Sequence, residues 1–140
     1  RAYGPQKAYR QSKLAMLMFG LELDRRLRAA GAPIRAIPVH PGAARTDVFR
    51  RGDRAGPVQR LAGHLIFAVI GQPAARGALP LLFAATAQEA EGGAYYGPDG
   101  IWELHGHPAR ADIAAQARDT AAAARLWSVS EALTGVDCTV

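Results

Sequence analysis

Cysteine, lysine and long apolar runs are all scarce in this 140-residue sequence. Cys138 is the single cysteine, so no disulfide can form within the chain, and we expect a cytoplasmic protein. The longest apolar run, residues 65–70, is far shorter than the ~20 residues that span a bilayer. These absences argue against a disulfide scaffold, and we expect no transmembrane segment in these residues.

A glycine-rich dinucleotide-binding turn is also missing. The sequence contains 15 glycines, yet neither Gly-x-Gly-x-x-Gly nor Gly-x-x-x-Gly-x-Gly occurs in it. Such a turn lets the pyrophosphate of a dinucleotide approach the N-terminus of a helix. We therefore expect that these residues by themselves do not bind a dinucleotide.

Lysine and arginine together outnumber aspartate and glutamate by 17 to 12, so the formal net charge is +5. Five arginines fall within one short segment, at Arg45, Arg50, Arg51, Arg54 and Arg60. Such a patch could bind phosphate groups, so nucleic-acid binding is one hypothesis. Apart from Phe49, no aromatic residue stands among these arginines to stack on bases, which favours a solvated loop instead.

The most informative stretch is the start of a helix that we place from Tyr9 to Ala30. Tyr9 and Lys13 are four residues apart, so their side chains share one helical face. Apolar residues lie on two opposite sides of this helix. One side carries Leu14, Leu17, Met18 and Leu21, and the other carries Met16, Phe19, Leu23 and Leu27. We therefore expect the helix to pack between a sheet and a second helix.

A phenol beside an ammonium group is suited to proton transfer near neutral pH. A free phenol has a pKa of about 10, whereas acid–base catalysis is most efficient when the pKa lies near the working pH. A cation about 5 Å away favours a phenolate by roughly 3 kcal/mol at an effective dielectric constant of about 20. Tyr9 and Lys13 are therefore a candidate catalytic pair; the alternative is an interfacial tyrosine beside a solvated lysine.

Three segments of the sequence resemble the short-chain dehydrogenase/reductase family. The first is the Tyr-x-x-x-Lys pattern of Tyr9 and Lys13, with Ser12 before the lysine. The second, His40-Pro41-Gly42-Ala43-Ala44-Arg45-Thr46, is similar to the family's Pro-Gly-x-x-x-Thr segment. The third, residues 119–136 with Arg125-Leu126-Trp127, is similar to the tail of retinol-dehydrogenase-like and protochlorophyllide-reductase-like members. Together they cover nearly the whole chain and match the second half of such a protein.

The resemblance implies a fold and roles for single residues. The implied fold is α/β: the carboxyl-terminal half of a Rossmann-type doubly wound parallel sheet. Residues 1–140 would be the catalytic and substrate half of one NAD(P)-binding domain, with the amino-terminal half absent. Tyr9 is implied as the general acid–base residue, and Lys13 as the residue that holds the nicotinamide ribose, so both would contact the cofactor. Pro41, Gly42 and Thr46 are implied to lie beside the nicotinamide, and the family's catalytic serine would precede the first residue.

The implied activity is hydride transfer between a nicotinamide cofactor and a carbonyl or alcohol substrate. The resemblance alone favours NADP over NAD and an apolar substrate, and it implies a homodimer built on the helix from Tyr9 to Ala30. Without the glycine-rich turn, the chain alone is expected to be inactive. A non-catalytic helical dimerisation module and a basic nucleic-acid-binding domain are the two alternatives.

The remaining patterns predict further elements. We expect a strand from Pro33 to His40, although Pro38 removes a ladder donor, and a loop over residues 43–57. A short helix is expected over 58–70, and a helix from Pro73 to Thr86 should be kinked at Pro80. A strand over 92–96 should be followed by a turn at 97–100, and residues 101–104 should extend that strand or pair with it. The last expected element is a helix over 108–133 that is broken near Asp119 and stopped by Gly135.

Histidines and aromatic residues near these motifs have plainer interpretations. His40 precedes Pro41-Gly42, and a structural role is favoured over a general base. His105 and His107 lack a cysteine or carboxylate cluster, so no metal site is expected. Tyr95, Tyr96 and Trp102 are interpreted as sheet and core aromatics.

Overall fold

The computed structural model describes residues 3–45 and 71–138. Its helices are α1 (Pro5–Ala29), α2 (Ala74–Gly77), α3 (Leu79–Thr86) and α4 (Thr120–Thr134), and its strands are β1 (Tyr96–Pro98) and β2 (Pro108–Arg110). Short 3₁₀ turns span Ile101–Glu103 and Ala115–Arg118. The expected helix over 58–70 lies outside the described residues.

The described residues cluster into two compact units. The first contains the described residues of Arg1–Pro38, Glu91–Ala94 and Asp112–Val140, so it holds α1 and α4. The second contains those of Val39–Ala90 and Tyr95–Ala111, so it holds α2, α3 and both strands.

Helix α1 begins one turn earlier than we predicted. Pro5 stands in its first turn, where a proline costs no hydrogen bond and its fixed φ suits the helix. The predicted stop is confirmed, since Gly31 adopts φ 64° and the N–H of Ala32 donates to the carbonyl of Leu27 at 3.0 Å. Arg26 and Arg28 lie in the last turn, where cations complement the helix dipole.

The core of the first unit lies where α1 meets α4 and the 3₁₀ turn before it. Met18, Ala117 and Ala123 are buried there, and the residues packed against them are Leu14, Leu17, Leu21, Ile113 and Leu126. The small alanine side chains let the two helices approach closely. Phe19 also stacks on Trp127, with ring centroids 4.7 Å apart and planes inclined by 11°. Helix α4 of the same chain therefore packs against α1, whereas both strands of the described residues belong to the other unit and not to the one that holds α1.

Two carboxylates are buried on α1, and each is paired. Glu22 accepts hydrogen bonds from Arg25 and Arg26 at 2.7 Å, and these partners hold the pKa of its carboxyl below the ordinary value against the opposing effect of burial. Asp24 accepts from Arg28 at 2.5 Å and from the backbone N–H of Ala36 at 3.1 Å.

The Asp24 pair ties distant segments to α1. The guanidinium of Arg28 also donates to the carbonyl of Gly92, 64 residues away in sequence. A Cβ atom at Gly92 would overlap the Asp24 carboxylate, so glycine is required for this approach. The polar pair thus joins the end of α1 to the segment Glu91–Ala94 and to the backbone at Ala36.

The strand predicted from Pro33 to His40 does not form. Only Val39 pairs in this segment, through one parallel bridge to Tyr96, and the N–H of His40 donates to the carbonyl of Tyr96 at 2.9 Å. Pro33 and Pro38 carry no N–H to donate to a ladder. The N–H of Gly93 donates to the Ala36 carbonyl at 2.9 Å, but this bond is not extended into a ladder along residues 33–38.

The sheet of the second unit is a two-stranded antiparallel ladder. Tyr96 pairs with Arg110, and Pro98 pairs with Pro108. The predicted strand over 92–96 therefore starts only at Tyr96, and its partner is β2, not residues 101–104, which enclose a 3₁₀ turn. Phe83 of α3 packs against the Tyr96 ring at 5.1 Å between centroids.

Prolines and caps set the remaining helix ends. The helix predicted from Pro73 to Thr86 is split into α2 and α3, with Pro80 in the first turn of α3, where its missing N–H is tolerated. The helix predicted over 108–133 begins only at Thr120, because the Asp119 carboxylate accepts from the N–H of Ala122 at 2.9 Å and caps it there. Its predicted stop at Gly135 is confirmed by φ 68°.

Candidate active site

Tyr9 and Lys13 meet on an open face of α1. The Lys13 ammonium lies 5.5 Å from the centroid of the Tyr9 ring, as the four-residue spacing predicts. Both side chains are exposed, Tyr9 to 57%. Ser12 points its hydroxyl back to the carbonyl of Tyr9 at 2.8 Å, so it serves the helix backbone. The helix therefore presents a phenol and an ammonium together to whatever approaches this face.

Pro41 and Gly42 form a turn in the second unit. Gly42 has φ 62°, and a Cβ atom there would meet the carbonyl oxygens of Leu104 at 2.5 Å and Glu103 at 2.9 Å. The N–H of Ala43 donates to the Leu104 carbonyl at 2.7 Å. Only glycine fits this position, because both the left-handed backbone and the close contacts exclude a side chain.

Gln72 braces the same turn, and sequence patterns did not single it out. It is 3% exposed, and its side-chain amide donates to the carbonyl of Pro41 at 2.9 Å. Its side-chain oxygen accepts from the N–H of Gly106 at 3.2 Å. Its partners are more than 30 residues away along the chain, so no local spacing could have revealed it.

His40 packs beside this turn, and its Nδ1 accepts a hydrogen bond from the N–H of Gly42 at 3.4 Å. Its Nε2 lies 3.1 Å from Oε2 of Glu103. The Tyr95 ring lies 5.0 Å from the imidazole. Burial lowers the pKa of His40 below its ordinary value of 6.5, and Glu103 opposes part of that effect. Burial likewise raises the pKa of Tyr95, and Glu103 adds to the rise.

The His40 environment leads to a pH-dependent stability. Because its pKa is lower in the folded chain, the unfolded chain takes up a proton first as the pH falls. The stability that neutral His40 contributes is fully present above pH 6.5. It is lost as the pH falls from that value to the lower pKa of His40 in the folded chain. Glu103→Gln removes the opposing carboxylate, so the loss on acidification should become larger.

Urea unfolding at about pH 7.5 and about pH 5.5 measures this difference. His40→Gln is the matched control, since it removes the titrating group and should flatten the dependence of both proteins in this window. Equal pH dependence in the parent and in Glu103→Gln would contradict the assignment.

The predicted site residues are distributed over both units. Tyr9 and Lys13 belong to the first unit and lie together, whereas Pro41 and Gly42 belong to the second. Thr46 lies outside the described residues, as do four of the five clustered arginines. The cofactor contacts inferred for these residues stay predictions.

Within 3–45 and 71–138, no group of three or more histidine, cysteine, aspartate or glutamate side chains is arranged to hold a metal ion. None of the helices in these ranges combines the length and the apolar character that a membrane span requires.

Comparison with known proteins finds several dehydrogenases that are similar over most of the chain. Polyprenol dehydrogenase from Mus musculus is 37% identical over 135 residues, which are 96% of this chain and 37% of that protein. Retinol dehydrogenase 13 from Homo sapiens is 33% identical over 141 residues, covering 98% of this chain and 39% of its own length. The short chain dehydrogenase/reductase dpchH from Colletotrichum higginsianum is 33% identical over 129 residues, 90% of this chain and 29% of that protein. The chain thus spans about two fifths or less of these relatives.

A solved structure is similar as well. The crystal structure of an uncharacterized protein from Mycobacterium Paratuberculosis matches with a TM-score of 0.69 and 36% sequence identity, over 98% of this chain and 42% of that chain. No protein-family model matches the sequence.

Proposed function

The chain belongs to the short-chain dehydrogenase/reductase family, and we propose that it supplies the catalytic pair and the nicotinamide-facing turn of an NAD(P)-dependent oxidoreductase. The observation that carries the proposal is the exposed pair of Tyr9 and Lys13, with the ammonium 5.5 Å from the ring centroid. An oxidoreductase is also what the names of the similar proteins indicate.

The exposed groups on α1 suit one end of the cofactor. A phenolic hydroxyl and an ammonium on one open helix face are hydrogen-bonding groups that a ribose diol can engage. The pyrophosphate end does not fit, since the sequence contains no glycine-rich turn to receive it. In the proposed enzyme this chain therefore works together with a segment that carries such a turn; we call the joined protein the complete enzyme.

Each residue of the pair has a defined task in the complete enzyme. A bound nicotinamide would supply or accept the hydride. The Tyr9 hydroxyl would donate its proton to the carbonyl oxygen of the substrate in reduction and take it back in oxidation. The Lys13 ammonium would attract the negative charge that develops on the phenolic oxygen and would hold the ribose hydroxyls.

The finer assignments belong to the proposal too. We place the chain in the carboxyl-terminal half of a Rossmann-type sheet; the bridges from Val39 to Tyr96 and from Ala44 to Gln72 are parallel, which supports this placement. NADP and an apolar carbonyl or alcohol substrate are proposed from the resemblance, and the relatives named for polyprenol and retinol support an alcohol.

Titration with NADPH tests whether cofactor binding needs the complete enzyme or only this chain. The purified 140-residue chain should show no saturable binding at micromolar concentrations, because it lacks the pyrophosphate turn. The complete enzyme should bind the same ligand. Fluorescence or calorimetry measures both proteins under one set of conditions, and micromolar saturable binding by the chain alone would contradict this part of the proposal.

A further inference from the structure

Gln72 occupies an unusual position in the second unit, because one residue makes four hydrogen bonds to the segments around the Pro41–Gly42 turn. Its backbone N–H donates to the Ala43 carbonyl at 2.9 Å, and its carbonyl accepts from Arg45 at 2.9 Å. Its side chain adds the bonds to Pro41 and Gly106. A buried polar side chain is retained at low cost when its donor and its acceptor are both paired, as they are here.

The turn is held from a second side by residues 100–106. Leu104 accepts from the N–H of Ala43, and its carbonyl lies where a Cβ of Gly42 would be. Gly106 belongs to the same segment and donates to the Gln72 side chain. The side-chain amide of Gln72 therefore connects the Pro41–Gly42 turn to residues 100–106.

We propose that Gln72 is a positioning residue of the active site. Its side-chain amide holds the Pro41 carbonyl and thereby fixes the orientation of the Pro41–Gly42 peptide, so that the turn presents its backbone to the nicotinamide. This inference rests on the proposed function. Gln72 touches neither substrate nor cofactor, and it acts through the Pro41 carbonyl, to which its amide donates.

An amide is the group that this position requires. A glutamate of the same shape would keep an acceptor for the N–H of Gly106 but would place an oxygen against the Pro41 carbonyl. A methionine would fill the space without either hydrogen bond. The two variants therefore separate the loss of the donor from the loss of the whole amide.

The test measures cofactor KM, turnover and thermal stability of the complete enzyme with Gln72→Glu. We expect the cofactor KM to rise about tenfold, because the buried side chain at position 72 would lose its hydrogen bond to the Pro41 carbonyl, and such a loss weakens the native arrangement by about that factor. Turnover at saturating cofactor should stay within about twofold, since Tyr9 and Lys13 are unchanged. Gln88→Glu is the matched control, an identical change at an exposed position of the same unit, and should alter neither constant.

The possible outcomes decide between a positioning role and a purely structural one. A lower melting temperature with an unchanged cofactor KM, measured well below melting, overturns the inference. If Gln72→Glu does not fold, Gln72→Met carries the same comparison; if neither variant folds, Gln72 is a folding residue and the inference is overturned. Tyr9→Phe is assayed in parallel, so that failure of the proposed function is recognised separately: near-parental activity of Tyr9→Phe refutes the function, whatever Gln72 does.

Discussion

Replacing Tyr9 with phenylalanine should lower the turnover of the complete enzyme by about 10²–10⁴-fold, the usual contribution of general acid–base catalysis. The change removes only the phenolic oxygen, and the ring is 57% exposed on α1, so folding should be unaffected. Cofactor binding should survive the change, because Lys13 keeps its proposed contact with the ribose. Steady-state turnover and a binding titration measure both quantities, and a variant with near-parental turnover would refute the catalytic assignment.

Variants of Lys13 are the control for this assignment, because they should change two quantities together. Lys13→Ala removes the ammonium beside the phenol and also a ribose contact, so turnover and cofactor affinity should both fall. Lys13→Arg keeps the charge but changes the shape and the geometry of the donors. A smaller loss of turnover in Lys13→Arg than in Lys13→Ala would support the electrostatic role. Equal losses would assign Lys13 to ribose binding alone.

Arg28→Met should lower the free energy of unfolding by about 2 to 3 kcal/mol, near the lower end of the range for breaking a buried ion pair, since Arg28 itself is largely exposed. The Asp24 carboxylate is buried and would keep only the N–H of Ala36 among the partners described above. The bond from Arg28 to the Gly92 carbonyl would be lost as well. Urea unfolding of the 140-residue chain measures the effect.

Arg25→Met is the matched control for this prediction. Arg25 lies on the same helix and pairs with the buried Glu22, but Glu22 keeps a second partner in Arg26 at 2.7 Å. Arg25→Met should therefore lower the free energy of unfolding much less than Arg28→Met does. Equal losses in the two variants would mean that general changes of charge on α1, and not the burial of Asp24, determine the effect.

Local signals were sufficient for the carboxyl-terminal ends of α1 and α4 and for the shared helical face of Tyr9 and Lys13. Gly31 and Gly135 end α1 and α4 because the left-handed backbone conformation needed there is favourable for glycine, which has no Cβ atom. This is a property of the residue itself. The spacing of Tyr9 and Lys13 determines their common face through helix geometry alone. The short-chain dehydrogenase/reductase assignment made on these motifs is confirmed by the similar dehydrogenases. The expected homodimer stays a prediction.

Trp102 shows where local reasoning was wrong. It was interpreted as a core aromatic, yet it is 83% exposed and adopts φ 53°, as its neighbour Glu103 adopts φ 56°. This left-handed pair turns the chain so that the Glu103 carboxylate reaches His40. Hydrophobic character favours burial, but the path of the backbone decides which side chain of a short segment faces inward.

The sequence by itself determined the family, the shared helical face of Tyr9 and Lys13 and the glycine stops, because each depends on residues within a few positions of one another. Only the tertiary structure decided that Asp24 holds Ala36, that Gln72 braces Pro41 and that Val39 pairs with Tyr96. These contacts join residues from 12 to 57 positions apart, and they exist only once the chain has closed the loops between them. A polar side chain has many possible partners in sequence, and burial in one place reduces them to the few groups that lie there, because an unpaired donor or acceptor in that place would be costly.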